Sequence, residues 1–276
     1  MVKPISKFLV KPRIASFSPE QKGAMKRAIT AMAHTIYPAR CMVCDTYTDA
    51  PNGLCPSCWS ETHFISGSNC TTCSKPLVGE ADAAQCDTCL RFPPPWKRGV
   101  AVMEYEGAGR AMVLALKRYD RLDLAPAMAA WMQRAAAPIL PNTDIVAPVP
   151  LHPSRLFRRK FNQSAELARH LAGASSLNYL PDLLTRVRRT ESQQGKDRIE
   201  RKENLKAAIT ATPRHRESLE GSRVLLVDDV LTTGATLSAC TEACYAAGAA
   251  NVNILVLARV EPYRNIPIFA ATNVKE

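Results

Sequence analysis

The sequence predicts an α/β protein: a domain built on a parallel sheet, preceded by a small module that depends on cysteine chemistry for its order. Three observations carry this. Eight of the ten cysteines fall into four Cys-x-x-Cys pairs between Cys41 and Cys89. From Trp96 onward, short apolar runs alternate with helical periodicity, the pattern of strands returning through helices to a parallel sheet. One stretch, Val224–Thr236, reads as a buried strand, an acidic pair, a Thr/Gly loop and a helix start.

The chain has 276 residues, enough for a substantial core and one or two domains. No segment approaches the ~18 uninterrupted apolar residues of a membrane helix. Met1–Arg13 is mildly basic but lacks the long apolar run and small-residue cleavage site of a secretory signal, so the expected location is cytoplasmic. The net charge of +11 and pI of about 9.3 favour anionic partners: nucleotides, polyphosphates or nucleic acid.

Taken in order, the elements are these. Ser18-Pro19-Glu20-Gln21 is a capped helix start, and Met25, Ile29, Met32 and Ile36 follow at helical spacing, predicting an amphipathic helix. Residues 38–92 are rich in Cys, Pro, Gly, Ser and Thr and poor in periodicity; such a segment buries little apolar area and needs a staple. Pro93-Pro94-Pro95 marks a stiff junction. Strands are expected at Val100–Tyr105, Asp144–Val149, Val224–Val227 and Val252–Leu257. Helices are expected at Ala108–Arg118, Leu124–Ala137, Gln163–Ala172 and Thr236–Ala247. The expected parts are 1–36, a basic segment and helix; 37–93, the cysteine module; and 94–270, the α/β domain.

Each Cys-x-x-Cys can present two thiolates to one tetrahedral centre, and two pairs complete a four-sulfur zinc site. Cys41, Cys44, Cys55 and Cys58 form one set and Cys70, Cys73, Cys86 and Cys89 another, with gaps of ten and twelve residues that suit compact zinc ribbons. Sequential pairing is preferred; a cross-braced arrangement stays open. All positions being sulfur, the zinc is expected to be structural, and chelation to unfold this module while sparing the second domain. A redox role expects one such pair in a βαβ setting, which is absent. His63 is not needed by either set. Cys240 and Cys244, four apart on a helix, read as small core residues.

At Val224–Thr236, four apolar residues form a strand, with Asp228 and Asp229 at its end. The free backbone N–H groups at the following helix start make an anion site. Gly234 allows close backbone approach, and Thr232, Thr233 and Thr236 add hydroxyl donors. The loop therefore suits a phosphate, and the two carboxylates can accept hydrogen bonds from a vicinal diol. Together these describe a ribose 5-phosphate. A Walker B segment shares the apolar strand and Asp-Asp, but it requires a G-x-x-x-x-G-K-[ST] loop, which the sequence lacks.

Asp228–Thr236 resembles the signature of type I phosphoribosyltransferases that binds 5-phosphoribosyl-1-pyrophosphate (PRPP). From about Tyr37 to Glu261 the chain resembles the ComF family of competence-associated proteins. The shared features are the paired cysteines, Ala115-Leu116-Lys117, Val149-Pro150-Leu151-His152-Pro153, Phe161-Asn162-Gln163 and the PRPP signature, in the family's order. The resemblance implies a five-stranded parallel core and a magnesium ion bound with PRPP. It also implies ribose binding by Asp228 and Asp229, and 5-phosphate binding by Thr232, Thr233, Gly234, Ala235 and Thr236. Val149, Pro150, Leu151 and His152 become the counterpart of the pyrophosphate loop. Arg155, Arg158, Arg159 and Lys160 follow it, suited to polyphosphate or to nucleic acid. Arg186–Lys206, another basic stretch, falls where type I enzymes carry a mobile hood. Gln194 and Lys196 there, and Lys117-Arg118-Tyr119-Asp120, depart from the family pattern.

Three functions follow from the resemblance: magnesium-dependent transfer of ribose 5-phosphate with release of pyrophosphate, in a protein linked to DNA uptake; a non-catalytic, PRPP-responsive protein binding single-stranded DNA or competence proteins; or a PRPP-sensing regulator of nucleotide metabolism. Aromatic residues are scarce in the basic stretches, so a stacking platform for single strands is not evident.

Overall fold

The computed structural model describes residues 18, 25, 38–49, 51–79, 84–118, 121–152, 156–157, 160–186 and 208–261. The expected N-terminal helix, Arg155, Arg158 and Arg159, and the basic stretch beyond Arg186 lie outside these residues.

Two short helices, α1 (Pro56–Ser60) and α2 (Asp87–Arg91), each begin between the cysteines of a pair. The α/β domain then runs β1 (Gly99–Glu104), α3 (Gly107–Arg118), α4 (Ala125–Ala135), β2 (Ile145–Pro148), α5 (Gln163–Ser175), β3 (Asn178–Tyr179), β4 (Leu184–Arg186), β5 (Ile209–Ala211), α6 (Arg216–Leu219), β6 (Arg223–Leu231), α7 (Ala235–Ala246) and β7 (Asn251–Arg259). Five strands form one parallel sheet in the order β1-β7-β6-β2-β3, as the resemblance implies. Strands β4 and β5 make a separate antiparallel pair. No helix among the described residues is long and apolar enough to cross a membrane.

The period-two alternation of the central strands explains the layering. Leu225 and Val227 on β6, with Leu255 and Leu257 on β7, face a core filled by Met112 and Leu116 of α3, Met128 and Met132 of α4, and Leu167 and Leu171 of α5. Val224 and Leu226, with Val252, Ile254 and Val256, face the other side, where Leu237, Cys240 and Cys244 of α7 and Leu184 and Ile209 of the β4–β5 pair cover them. A parallel sheet covered on both faces needs such near-continuous apolar strands. Cys240 and Cys244 are fully buried in this second core, and burial pushes both thiols up, Cys244 to about 12. They are packing residues, as their helical spacing suggests.

Strand β6 runs farther than Val227. Asp228, Val230 and Leu231 still pair with Val256, Ala258 and Arg259 of β7, so the acidic pair lies within the strand rather than beyond it. A long parallel neighbour outweighs the low strand propensity of Asp.

The cysteine module lies along β1. Ile65 N–H donates to Val102 O and Glu104 N–H to His63 O, each at 2.9 Å; Gly99 N–H donates to Thr71 O at 3.0 Å. Ser74 Oγ donates to Gly99 O at 3.0 Å and accepts from Ala101 N–H at 2.9 Å. Along this seam the module and the sheet share backbone hydrogen bonds.

Candidate functional site

The carboxyl ends of β2 and β6 bring the separate motifs together. Asn162 caps α5, its side chain accepting from Ser164 N–H at 3.1 Å. The same side chain donates to Val149 O at 2.9 Å, which ties the loop after β2 to the start of α5. Ser164 Oγ then donates to Asp228 Oδ1 at 2.8 Å. One hydrogen-bonded path thus joins Val149, Asn162, Ser164 and Asp228. Pro150, Leu151 and His152 are half-buried alongside Val149. Asp229 is paired with Lys117 of α3, Nζ to Oδ1 at 2.9 Å.

Two adjacent carboxylates at one partly covered place repel each other. Burial, and then the neighbouring Asp229 charge, push the Asp228 carboxyl up to about 7; the Ser164 hydroxyl and the Lys117 ammonium oppose this. Such a raised carboxyl gains from any ligand that brings hydroxyl donors or a cation.

The loop after β6 is open. Thr232 and Thr233 are exposed, and Ala235 and Thr236 are half-buried at the start of α7. Gly234, the N-cap, stands at φ +76° and supplies no side-chain cap, so the first turn of a twelve-residue helix presents its N–H groups to the loop. A Cβ at Gly234 would lie 2.8 Å from Cη2 of Trp96, which explains glycine here in packing terms as well as by backbone angle.

Lys117, Asn162 and Ser164 are absent from the site residues expected from the sequence, although Ala115-Leu116-Lys117 and Phe161-Asn162-Gln163 marked their segments. Their side chains reach the acidic pair only through the fold. Of the basic run after the loop, Lys160 is exposed, and Phe157, within that run, is 91% exposed.

The cysteines gather into the two sequential sets. Cys41, Cys44, Cys55 and Cys58 lie with all sulfurs within 4.8 Å of one another, as do Cys70, Cys73, Cys86 and Cys89. The separations of 3.5 Å for Cys44–Cys55 and 3.7 Å for Cys73–Cys86 suit ligands at about 2.3 Å from one tetrahedral zinc, and these eight residues would hold two structural zinc ions. Asp45 and Ser74, each just after the first pair of its set, both take positive φ, at 64° and 57°, so the two turns repeat one design. Backbone N–H groups support the sulfurs, Cys58 N–H to Cys55 Sγ at 3.5 Å and Cys86 N–H to Cys70 Sγ at 3.3 Å.

Comparison with known proteins agrees with both parts. Residues 32–90 match the double zinc ribbon domain, and residues 163–275 match the phosphoribosyl transferase domain. The DNA utilization protein YhgH of Salmonella typhi is 34% identical over 224 residues, covering 79% of this chain and 89% of the relative. Competence protein F of Haemophilus influenzae is 28% identical over 76% of this chain and 92% of its own length. Competence protein ComFC of Bacillus subtilis is 29% identical over 67% of this chain and 74% of its own. With its double zinc ribbon, its parallel sheet and these relatives, the chain belongs to the ComF family of phosphoribosyltransferase-domain proteins.

Proposed function

We propose that the carboxyl end of β6 binds PRPP with magnesium, and that the protein transfers ribose 5-phosphate with release of pyrophosphate. The observation that carries this is the path from Val149 through Asn162 and Ser164 to Asp228, set beside the Lys117–Asp229 pair and an open helix N-terminus. Asp228 and Asp229 accept from the ribose hydroxyls. Thr232, Thr233, Gly234, Ala235 and Thr236 enclose the 5-phosphate with backbone N–H groups and hydroxyls. Val149, Pro150, Leu151 and His152 line the pyrophosphate side. A magnesium ion would be held largely by the pyrophosphate and ribose oxygens of the ligand, and would neutralise charge on the leaving pyrophosphate.

The protein's part is positioning and charge stabilisation. Loss of pyrophosphate leaves a cationic, oxocarbenium-like sugar, and two fixed carboxylates beneath the ribose favour that charge. Ser164 holds Asp228 in one orientation. Lys117 holds Asp229 and keeps the pair compact until the ligand arrives.

The names of the relatives support a setting in DNA uptake and use, and we place the protein in the cytoplasm. A second reading has one observation of its own. Phe157 is exposed, in a stretch of sequence that also carries Arg155, Arg158, Arg159 and Lys160, and an exposed aromatic ring in a basic stretch is what single-stranded DNA stacks upon. In that reading PRPP regulates a DNA- or competence-protein-binding surface.

The test is calorimetric titration of PRPP and magnesium into zinc-loaded wild type and into Asp228→Ala/Asp229→Ala. Saturable binding that the double variant loses supports the assignment and justifies a screen of bases and amines as acceptors. Failure of well-folded wild type to bind PRPP sinks it.

A further inference from the structure

The second zinc turn and the loop after β6 are joined by one side chain, Trp96. Its indole is 5% exposed and sits in the core beneath α7. At one end, Nε1–H donates to Thr72 O at 2.8 Å. Thr72 lies between the ligands Cys70 and Cys73, so this carbonyl belongs to the metal turn itself. At the other end, the ring edge stands against Gly234, close enough that a Cβ there would lie 2.8 Å from Cη2 and 3.6 Å from Cζ3.

The turn is seated firmly. Gln85 Nε2 donates to Thr72 Oγ1 at 2.7 Å, Thr71 O accepts from Gly99 N–H, and Arg259 Nε donates to Cys73 O at 3.1 Å. Gly99 leaves no spare room: a Cβ there would lie 2.3 Å from Thr72 O. The sheet, the metal turn and Trp96 therefore have one arrangement in which all three fit.

We infer that Trp96 is a positioning residue through which the second zinc ribbon sets the conformation of the Thr232–Thr236 loop, so that the metal state of that ribbon governs affinity for a phosphorylated ligand. The physical reasoning is direct. Gly234 at positive φ has many accessible conformations and no side chain of its own to cap the helix that it starts, and the Thr233 hydroxyl accepts from Ala235 N–H only at a long 3.5 Å. The nearest wall confining it is the indole, with Leu231 Cδ1 farther off. The indole is held in turn by a carbonyl whose direction is fixed by the two cysteines on either side, once both are bound to one ion. The first ribbon has a different neighbour: Cys41, Cys55 and Cys58 pack with Ala108 of α3, whereas Cys73 of the second ribbon packs against the core that holds Trp96. The two zinc sites are thus unequal, and the second is the one coupled to the loop. The consequence for affinity rests on the PRPP assignment above; the consequence for the loop does not.

Hydrogen exchange on the full-length, ligand-free protein separates the two. In wild type titrated with a chelator, the Ser238 amide, whose bond to Gly234 O at 2.8 Å closes the first turn of α7 on the loop, should lose protection together with the amides of Cys70–Lys75. A loop that keeps its protection after the second turn has lost its own overturns the inference, and this measurement needs no variant. Trp96→Phe, which removes the N–H donor and shortens the ring, should raise exchange in the loop about tenfold while two zinc ions per chain are retained. Cys89→Ala, which breaks the second four-sulfur set, should also raise loop exchange, and Cys58→Ala, in the first ribbon, should not. Equal loop exchange in the two cysteine variants also overturns the inference. Gly99→Ala approaches the turn from the other side and should match Trp96→Phe. PRPP affinity should then fall about tenfold in Trp96→Phe. If wild type shows the exchange pattern but binds no PRPP, the ligand assignment fails and the coupling stands.

Discussion

Asp228→Asn should make the protein more stable at neutral pH, by an amount that grows as pH rises. Ser164 Oγ and the Asp229 N–H both donate to Oδ1 of Asp228, at 2.8 and 2.9 Å. An amide oxygen can occupy that position, so the substitution keeps both bonds and removes only the charge. In the wild type, burial and the adjacent Asp229 raise this carboxyl from 3.8 to about 7. A carboxyl raised on folding favours the folded state fully below its ordinary value, and that contribution is lost as pH rises through about 7. Between pH 5.5 and pH 8.5 the wild type should therefore lose about 2 kcal/mol that the variant does not lose. For a chain of this size that is about 4–8 °C in melting temperature. The assay is thermal unfolding of zinc-loaded wild type and Asp228→Asn across this window, where the thiolate ligands stay bound. Melting curves that shift in parallel with pH would refute the reasoning, because they would mean that Asp228 is ionised throughout.

Lys117→Met should keep the fold but lower PRPP affinity about tenfold, since the charge pair holding Asp229 is lost; calorimetry reads this directly, with circular dichroism as the control. Gly234→Ala should destabilise by about 1–2 kcal/mol from the left-handed backbone alone, with more from the Trp96 contact, and urea unfolding measures it. Arg223→Ala removes the partner that holds the Asp144 carboxyl down at about 2. A lowered carboxyl contributes above its ordinary value and fails only as pH falls toward about 2, so the cost should be constant between pH 5 and pH 8. It should also be small and weakened by salt, because both side chains are near half exposure; melting at two salt concentrations checks this.

Much of the sheet was legible because its central strands are buried on both faces. Val224–Val227 and Val252–Leu257 are apolar runs whose composition leaves few alternatives. The two zinc sets were legible for a different reason: the constraint is local, two cysteines per turn, and only the pairing of turns needed the fold. What escaped was brief or tertiary. Strand β3 is two residues long and β4 and β5 three each, too short for any period to register. The extension of β6 through Leu231 is imposed by β7, whose partners lie some 28 residues farther along the chain. The site's supporting groups were hidden by distance in sequence: Ser164 reaches a residue 64 positions later, and nothing local to Lys117 announces Asp229. Trp96 was visible only as the point where composition changes. Its contact with Gly234 spans half the chain.

The seam along β1 has a consequence for how the protein can be divided. Strand β1 is the last strand on its side of the sheet, and the backbone groups it turns away from β7 are occupied by residues 63–74. A fragment starting at Trp96 would present that row of donors and acceptors unpaired. Such a bare margin recruits strands from other molecules, and self-association is its common fate. The ribbons therefore act as a selvedge on a woven sheet, and dissection at the proline junction should yield aggregates where a clean α/β fragment was sought.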